Sequence, residues 1–270
     1  MSTSDKQFAG GIPDIYERLM VPLIFAPYAR DLAARAAALA PLAVLETAAG
    51  TGALTRALAD GLGKGARIAA TDLNQPMLDR AARSLGGGDR VVWQQADALA
   101  LPFAAQSFDL VACQFGVMFF PDKVKAHLEV GRVLRPGGRY LFSVWAPVAE
   151  NDFAALVEQT VAALFPDDPP RFFSRTPHGY ANAETIRADL DAAGFGAVEI
   201  EPVGKVSRAR SARDVATAFC QGTPLRNEIE ARDPAGLETV TRKVEEALAA
   251  RFGHGAVEGR IKALVVTAAR

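Results

Sequence analysis

The sequence predicts an α/β fold, a doubly wound, seven-stranded and mostly parallel sheet with helical cap insertions. Three observations carry that prediction. Between about residues 42 and 145, short apolar runs alternate with amphipathic helical stretches, the pattern of a parallel sheet covered on both faces. A tight turn, Thr47-Ala48-Ala49-Gly50-Thr51-Gly52, separates the first run from the first helix. Acidic residues stand at the ends of three successive runs, where open α/β sheets bind their ligands.

Leu42–Glu46 is the first run, and Ala53–Leu62 follows with helical spacing at Leu54, Leu58 and Leu62. Arg67–Thr71 is a second strand ending on Asp72. Asn74 suits an N-cap and Pro76 a first turn, so Met77–Leu85 continues as a helix. Val91–Gln95 and Phe108–Gln114 are the third and fourth strands. Pro121-Asp122 opens a helix through Leu134 that Pro136-Gly137-Gly138 ends, and Tyr140–Trp145 is the fifth strand. Residues 12–40 read as one or two helices broken by Pro22 and Pro27. A helix at Asp152–Leu164 precedes a stretch rich in proline and aromatics; Ala183–Ala193 is helical and Ala197–Val203 alternates as a strand. Asp214–Phe252 is mostly helical and Ile261–Ala268 is a last strand; the block between Val203 and Ile261 is too long for a connection and is therefore an insertion.

The 270 residues carry a formal charge of −1, and half of them are hydrophobic. A chain of that length buries an ample core. Its charge balance disfavours a partner held by phosphate contacts, so no nucleic-acid substrate is expected. Two cysteines, Cys113 and Cys220, are too few for a disulfide scaffold and lack metal-ligand spacing. The N-terminus lacks the charged start and apolar stretch of a signal peptide, and no apolar window reaches the length of a membrane span. A cytoplasmic protein without a membrane span or a bound metal is expected.

The strongest local feature is Val44-Leu45-Glu46-Thr47-Ala48-Ala49-Gly50-Thr51-Gly52. A glycine turn ahead of a helix lets a ligand approach the backbone and meet free N–H groups. A dinucleotide fingerprint needs three glycines in G-x-G-x-x-G spacing, which is not present. A carboxylate at the strand end repels a pyrophosphate and suits a cationic ligand end. Asp72, 20 residues beyond Gly52, is placed to accept both hydroxyls of a ribose. Asp97 offers an acceptor near an adenine amino group, and Gln114-Phe115-Gly116 follows the fourth strand at the same rim. Each acid by itself is more often a surface residue or a helix cap; three at successive strand ends point to a site.

With these residues in view, the chain resembles a class I S-adenosylmethionine-dependent methyltransferase, of the small-molecule branch that includes quinone-biosynthesis enzymes. The motifs are VLETAAGTG (44–52), ATDLNQPML (70–78), WQQADALALPF (93–103), FDLVACQFGVMFF (108–120) and LRPGGRYLF (134–142). The resemblance implies the Rossmann-like methyltransferase fold, with the last strand inserted antiparallel. It implies S-adenosylmethionine as cofactor and S-adenosylhomocysteine as product. Glu46, Ala48 and the Gly50, Thr51 and Gly52 backbone would hold the methionine part and Asp72 the ribose. Leu73 and Met77 would flank the adenine, Asp97 and Ala98 would meet its amino group, and Gln114 and Phe115 would line the pocket. Where the family commonly has glycine this chain has Ala48, whose extra methyl is expected to be tolerated. The implied organisation is N-terminal cap helices over 1–40, a cofactor-binding core over 41–146, a lid and acceptor region over 147–181, a core helix and strand over 182–203, a helical insertion over 204–258 and a final core strand over 259–270.

Methyl transfer is an in-line displacement that needs alignment more than a general base, so no catalytic signature is expected. His178 and Tyr16 are the candidates. His178 lies in a loop where the family's acceptor pocket would lie, or is simply hydrogen-bonded to backbone. Tyr16, on an N-terminal helix, reaches donor or acceptor, or is a structural tyrosine. His127 is expected to face solvent or to pack beside Glu129, and Cys113 to be core. The acceptor would be an oxygen, nitrogen or carbon nucleophile of a small, partly apolar metabolite, and a homodimer is compatible with the sequence. A nicotinamide-dependent oxidoreductase on a related fold and a non-catalytic cofactor-binding module are the alternatives.

Overall fold

The computed structural model describes residues 12–85 and 89–270. The chain divides into two compact units. The described part of the sheet unit comprises residues 26–85, 89–144, 180–203 and 263–270. The described part of the helical unit comprises residues 12–25, 145–179 and 204–262.

A seven-stranded sheet has the order β3-β2-β1-β4-β5-β7-β6, the doubly wound arrangement expected. Its strands are β1 (Ala43–Glu46), β2 (Arg67–Asp72), β3 (Val91–Gln95), β4 (Phe108–Gln114), β5 (Leu134–Trp145), β6 (Gly196–Ala209) and β7 (Val257–Ala269). The pairings of β1 with β2 and β4, of β2 with β3 and of β4 with β5 are parallel. Strand order reverses at β1, the switch point at which such sheets open a crevice. Val44, Leu45, Leu110, Val111 and Ala112 are fully buried, as strands covered on both faces require.

The helices of the sheet unit are α2 (Ala26–Ala38), α3 (Ala53–Gly61), α4 (Gln75–Leu85), α5 (Lys123–Val133) and α8 (Ala183–Ala192). Asp122 caps α5 by accepting from the Lys125 amide at 2.9 Å, and Asn182 caps α8 by accepting from Thr185. Asn74 does not use its side chain this way. Its amide nitrogen donates to Asp72 Oδ1 at 3.3 Å, and it is the Asn74 carbonyl that receives the Met77 amide. The fifth strand begins at Leu134, so Arg135-Pro136-Gly137-Gly138 lies within it rather than between helix and strand. The extra residues are taken up by a register shift between Phe108↔Leu134 and Leu110↔Arg139, a bulge in the pairing with β4.

His127 does not face solvent. It is wholly buried in α5, 5.6 Å from the Tyr140 ring and 5.8 Å from Phe142. Neither ring nitrogen has a hydrogen-bond partner among the described residues. Burial holds its pKa near 4 instead of 6.5, against the pull of Asp189 and with the help of Lys123. The folded chain therefore binds fewer protons than the unfolded one between those values, and stability drains away as pH falls through that window. His127→Leu is expected to flatten the acid limb of a plot of melting temperature against pH; an unchanged limb would assign the acid loss elsewhere.

The helical unit contains α1 (Ile12–Ile15), a π-helix over Tyr16–Phe25, α6 (Asp152–Leu164), α7 (Phe172–Arg175), α9 (Ala212–Gln221), α10 (Leu225–Arg232) and α11 (Leu237–Phe252). The prolines do not break the first helical stretch as expected: Pro22 sits inside the π-helix and Pro27 in the first turn of α2. The core of this unit is built by α6, α9 and α11 around Phe153, Val157, Val215, Phe219, Val244 and Leu248. Phe172 and Phe173 belong to that core, edge-on to each other, with Phe173 also edge-on to Phe219.

Candidate functional site

The loop after β1 is fastened on both sides. Thr47 donates its amide to the Ala112 carbonyl of β4 at 3.0 Å, and Ala49 donates to Thr71 of β2 at 2.9 Å. Gly52, the residue ahead of α3, has φ 81° and so occupies the left-handed region where glycine costs nothing. A Cβ there would stand 2.9 Å from the Trp93 ring and 3.2 Å from Ala81.

Glu46 ends β1 with 1% of its surface exposed. Thr55, one turn into α3, donates its hydroxyl to Glu46 Oε2 at 2.6 Å, and the Thr71 hydroxyl donates to the Glu46 carbonyl at 3.0 Å. Burial lifts the Glu46 carboxyl to about 8, opposed by the Thr55 hydrogen bond and assisted by the charge of Asp72. Asp72, buried at the end of β2, accepts the Gly50 amide at 2.8 Å on one oxygen and the Asn74 amide at 2.8 Å on the other. Burial also raises its pKa, and these backbone donors oppose the rise. Two carboxylates thus flank the turn at adjacent strand ends.

Met77 is buried, with its methyl carbon 3.7 Å from where a Gly50 Cβ would be. Leu73 is 46% exposed, and its carbonyl accepts from Gln95 Nε2 at 2.8 Å. The Ala96 amide donates to the Asp72 carbonyl at 3.0 Å, joining the ends of β2 and β3. Asp97, exposed just beyond, accepts the Leu99 amide at 2.9 Å, and Ala98 is buried beside it. At the end of β4, Gln114 is half-buried. Phe115 is buried with φ 54°, edge-on to Tyr28 at 5.3 Å.

Ala48 has φ 53°, a left-handed conformation that a glycine would adopt without strain. Its methyl faces Gly116: a Cβ on Gly116 would lie 2.4 Å from Ala48 Cβ and 2.7 Å from Cys113 Sγ. The missing side chain at 116 makes room for the added one at 48. Strained conformations at both Ala48 and Phe115, on facing loops, are what a preorganised ligand site stores.

Sequence reasoning missed Thr55, Thr71, Trp93 and Ser143. Ser143 pairs with Gln114 across β4 and β5, and its buried hydroxyl has no partner among the described residues. The signal for Thr55 was its place three residues beyond Gly52, within reach of the preceding strand end. Tyr16, the candidate for donor or acceptor, and His178, the candidate for the acceptor, lie in the helical unit. Tyr16 stacks on Phe25 at 5.0 Å, and His178 Nδ1 is 2.7 Å from the Ala146 carbonyl. No group of three or more His, Cys, Asp or Glu among the described residues is arranged to hold a metal, and no helix there is long and apolar enough to cross a membrane.

Residues 45–142 match the methyltransferase domain family. A demethylmenaquinone methyltransferase from Clavibacter sepedonicus is 33% identical over 174 residues, which cover 60% of this chain and 70% of that protein. The chain belongs to the class I S-adenosylmethionine-dependent methyltransferases. A ubiquinone/menaquinone biosynthesis C-methyltransferase from Hahella chejuensis is 32% identical over 164 residues, 56% of this methyltransferase and 66% of the relative. The chain thus spans about two thirds of the length of these relatives. Among solved structures, a candidate methyltransferase from Bacillus halodurans matches with a TM-score of 0.58 at 22% identity, covering 89% of this chain and 97% of its own. A Haemonchus contortus phosphoethanolamine N-methyltransferase in complex with S-adenosylhomocysteine matches with a TM-score of 0.61 at 17% identity, covering all of this chain and 60% of its own. At those identities the structural matches speak for the fold.

The ends of β1 and β2 fit the family's cofactor. The Thr51 hydroxyl is buried without a partner among the described residues, and Gly50 has φ 56°, a backbone conformation that glycine adopts at no steric cost. The donor set is two carboxylates and backbone amides, matched to a ligand with an ammonium group and ribose hydroxyls.

Proposed function

We propose that this methyltransferase acts on a small, partly apolar metabolite and methylates a ring carbon of hydroquinone type, within the broader class of oxygen, nitrogen and carbon nucleophiles. The observation that carries the reading is the pair of buried carboxylates, Glu46 and Asp72, at adjacent strand ends around the Gly50 amide. Bound S-adenosylmethionine supplies a methyl group activated on a sulfonium sulfur. Glu46 takes the donor's ammonium, Asp72 the ribose hydroxyls, and Leu73, Met77, Asp97 and Ala98 surround the adenine. Gln114 and Phe115 line the pocket from the end of β4. Excluding water and fixing the direction of approach is the chain's main contribution to rate. The likeness to a demethylmenaquinone methyltransferase and to a ubiquinone/menaquinone biosynthesis C-methyltransferase supports the acceptor class, and the near-neutral charge supports a small molecule over nucleic acid.

Calorimetry with S-adenosylhomocysteine, for the wild type beside Asp72→Ala, tests the donor site. Micromolar binding weakened at least tenfold, about 1.4 kcal/mol, is expected. A folded wild type that binds neither donor nor product would overturn the reading. Turnover of naphthohydroquinone tests the acceptor class separately.

A further inference from the structure

His178 has a feature that the donor site does not use. It is 9% exposed, and its Nδ1 meets the Ala146 carbonyl at 2.7 Å. A carbonyl only accepts, so Nδ1 carries the hydrogen and Nε2 presents a bare lone pair. The carbonyl itself is held in place: the Ala146 amide donates to Lys262 O, Asn151 Nδ2 donates to the Ala146 carbonyl at 3.4 Å, and the Lys262 amide donates to Asn151 Oδ1. Nε2 has no hydrogen-bond partner among the described residues. Burial keeps the ring neutral, with a pKa near 4, so the lone pair persists at neutral pH.

Around it runs a row of rings within the helical unit. Trp145 lies 6.0 Å from His178 with 36° between planes, Phe25 lies 6.1 Å from Trp145, and Tyr16 stacks on Phe25. Tyr16 and Phe25 are nine residues apart, about two and a half turns of an α-helix, which would place them on opposite sides. The wider i→i+5 winding of the π-helix brings them together. The Ser207 hydroxyl holds that winding by donating to the Leu23 carbonyl at 2.8 Å.

We propose that His178 is an acceptor-recognition residue: its Nε2 accepts a hydrogen bond from a hydroxyl on an aromatic ring that packs against Trp145. This inference rests on the methyltransferase reading and narrows the acceptor to a ring bearing an O–H donor.

The test compares two ligands on the full chain under anaerobic conditions with S-adenosylhomocysteine present, naphthohydroquinone and 1,4-dimethoxynaphthalene, which lacks the donor hydrogens. Wild type is expected to bind the hydroquinone at least tenfold more tightly. His178→Asn can still donate to the Ala146 carbonyl from its Nδ2 but has no atom in the place of Nε2. It is expected to keep the wild-type melting temperature and S-adenosylhomocysteine affinity, to lose the preference between the ligands, and to raise KM for the hydroquinone tenfold with kcat within a factor of two. His178→Gln, whose Oε1 reaches the Nε2 position, should recover part of the preference. Equal binding of the two ligands by wild type, no binding of either, or a His178→Asn variant that keeps the preference would each overturn the proposal. S-adenosylhomocysteine binding in the same titrations reports on the donor site independently.

Discussion

Gly116→Ala is expected to cost about 3 kcal/mol of stability, at the upper end of overpacking penalties. The new Cβ would meet Ala48 Cβ at 2.4 Å and Cys113 Sγ at 2.7 Å. Neither neighbour has a flexible end to swing aside: one is a methyl fixed to a loop, the other a short, fully buried side chain. Ala48→Gly should do the opposite and stabilise by about 1 kcal/mol, because it releases a left-handed alanine. The two changes must also couple. With the Ala48 methyl gone, the shortest contact disappears and only the thiol has to give way. Gly116→Ala in the Ala48→Gly background should therefore cost much less than in wild type. Denaturant unfolding of the four proteins measures this directly, and costs that add within about 0.5 kcal/mol would mean that the loops do not meet as described.

Much of this site was legible because it depends on local rules. Val91–Gln95 and Phe108–Gln114 are strands over the expected residues; the second is an apolar run in the buried middle of the sheet, whereas the first, at the sheet edge, has no buried residue and is marked by its β-branched and aromatic start. Glu46 and Asp72 stand where strand ends put them. What local rules do not contain is the partner across space. Nothing near Gly52 in sequence announces Trp93, which arrives from β3. His127 carries the same blindness: its helix neighbours Lys123, Lys125 and Glu129 suggest a wet face, and only the packing of Tyr140 and Phe142 shows that position 127 points inward. Pro22 misled for a different reason. A proline breaks an α-helix by removing an i→i−4 bond and crowding the preceding turn, but the wider π winding changes both constraints. Pro136-Gly137-Gly138 reads as a stop signal because proline and glycine are punctuation in a helix, whereas at a bulged strand start they are tolerated.

Donor binding at pH 7 is expected to release close to one proton, and Glu46 is its source. Without ligand, burial holds this carboxyl at about 8 although a free glutamate titrates near 4.5, so it is mostly protonated at neutral pH. An ammonium group placed against it reverses the balance, because the charged pair forms only with the carboxylate. Between pH 6 and 8 the apparent affinity should then rise about tenfold per pH unit, the slope of one proton released. The same shift acts on folding with the opposite sense. The folded chain holds a proton that the unfolded chain has lost between pH 4.5 and 8, so this group's contribution to stability falls as pH rises through that window. Glu46→Gln separates the two effects. It should remove this fall in stability, abolish the proton release, and weaken the donor at pH 8 by about a hundredfold, the loss expected when a buried charge-assisted hydrogen bond goes. Calorimetry at pH 7 in two buffers of different ionisation enthalpy reads the proton directly. Equal heats in both buffers would mean that Glu46 is already ionised or does not meet the ammonium.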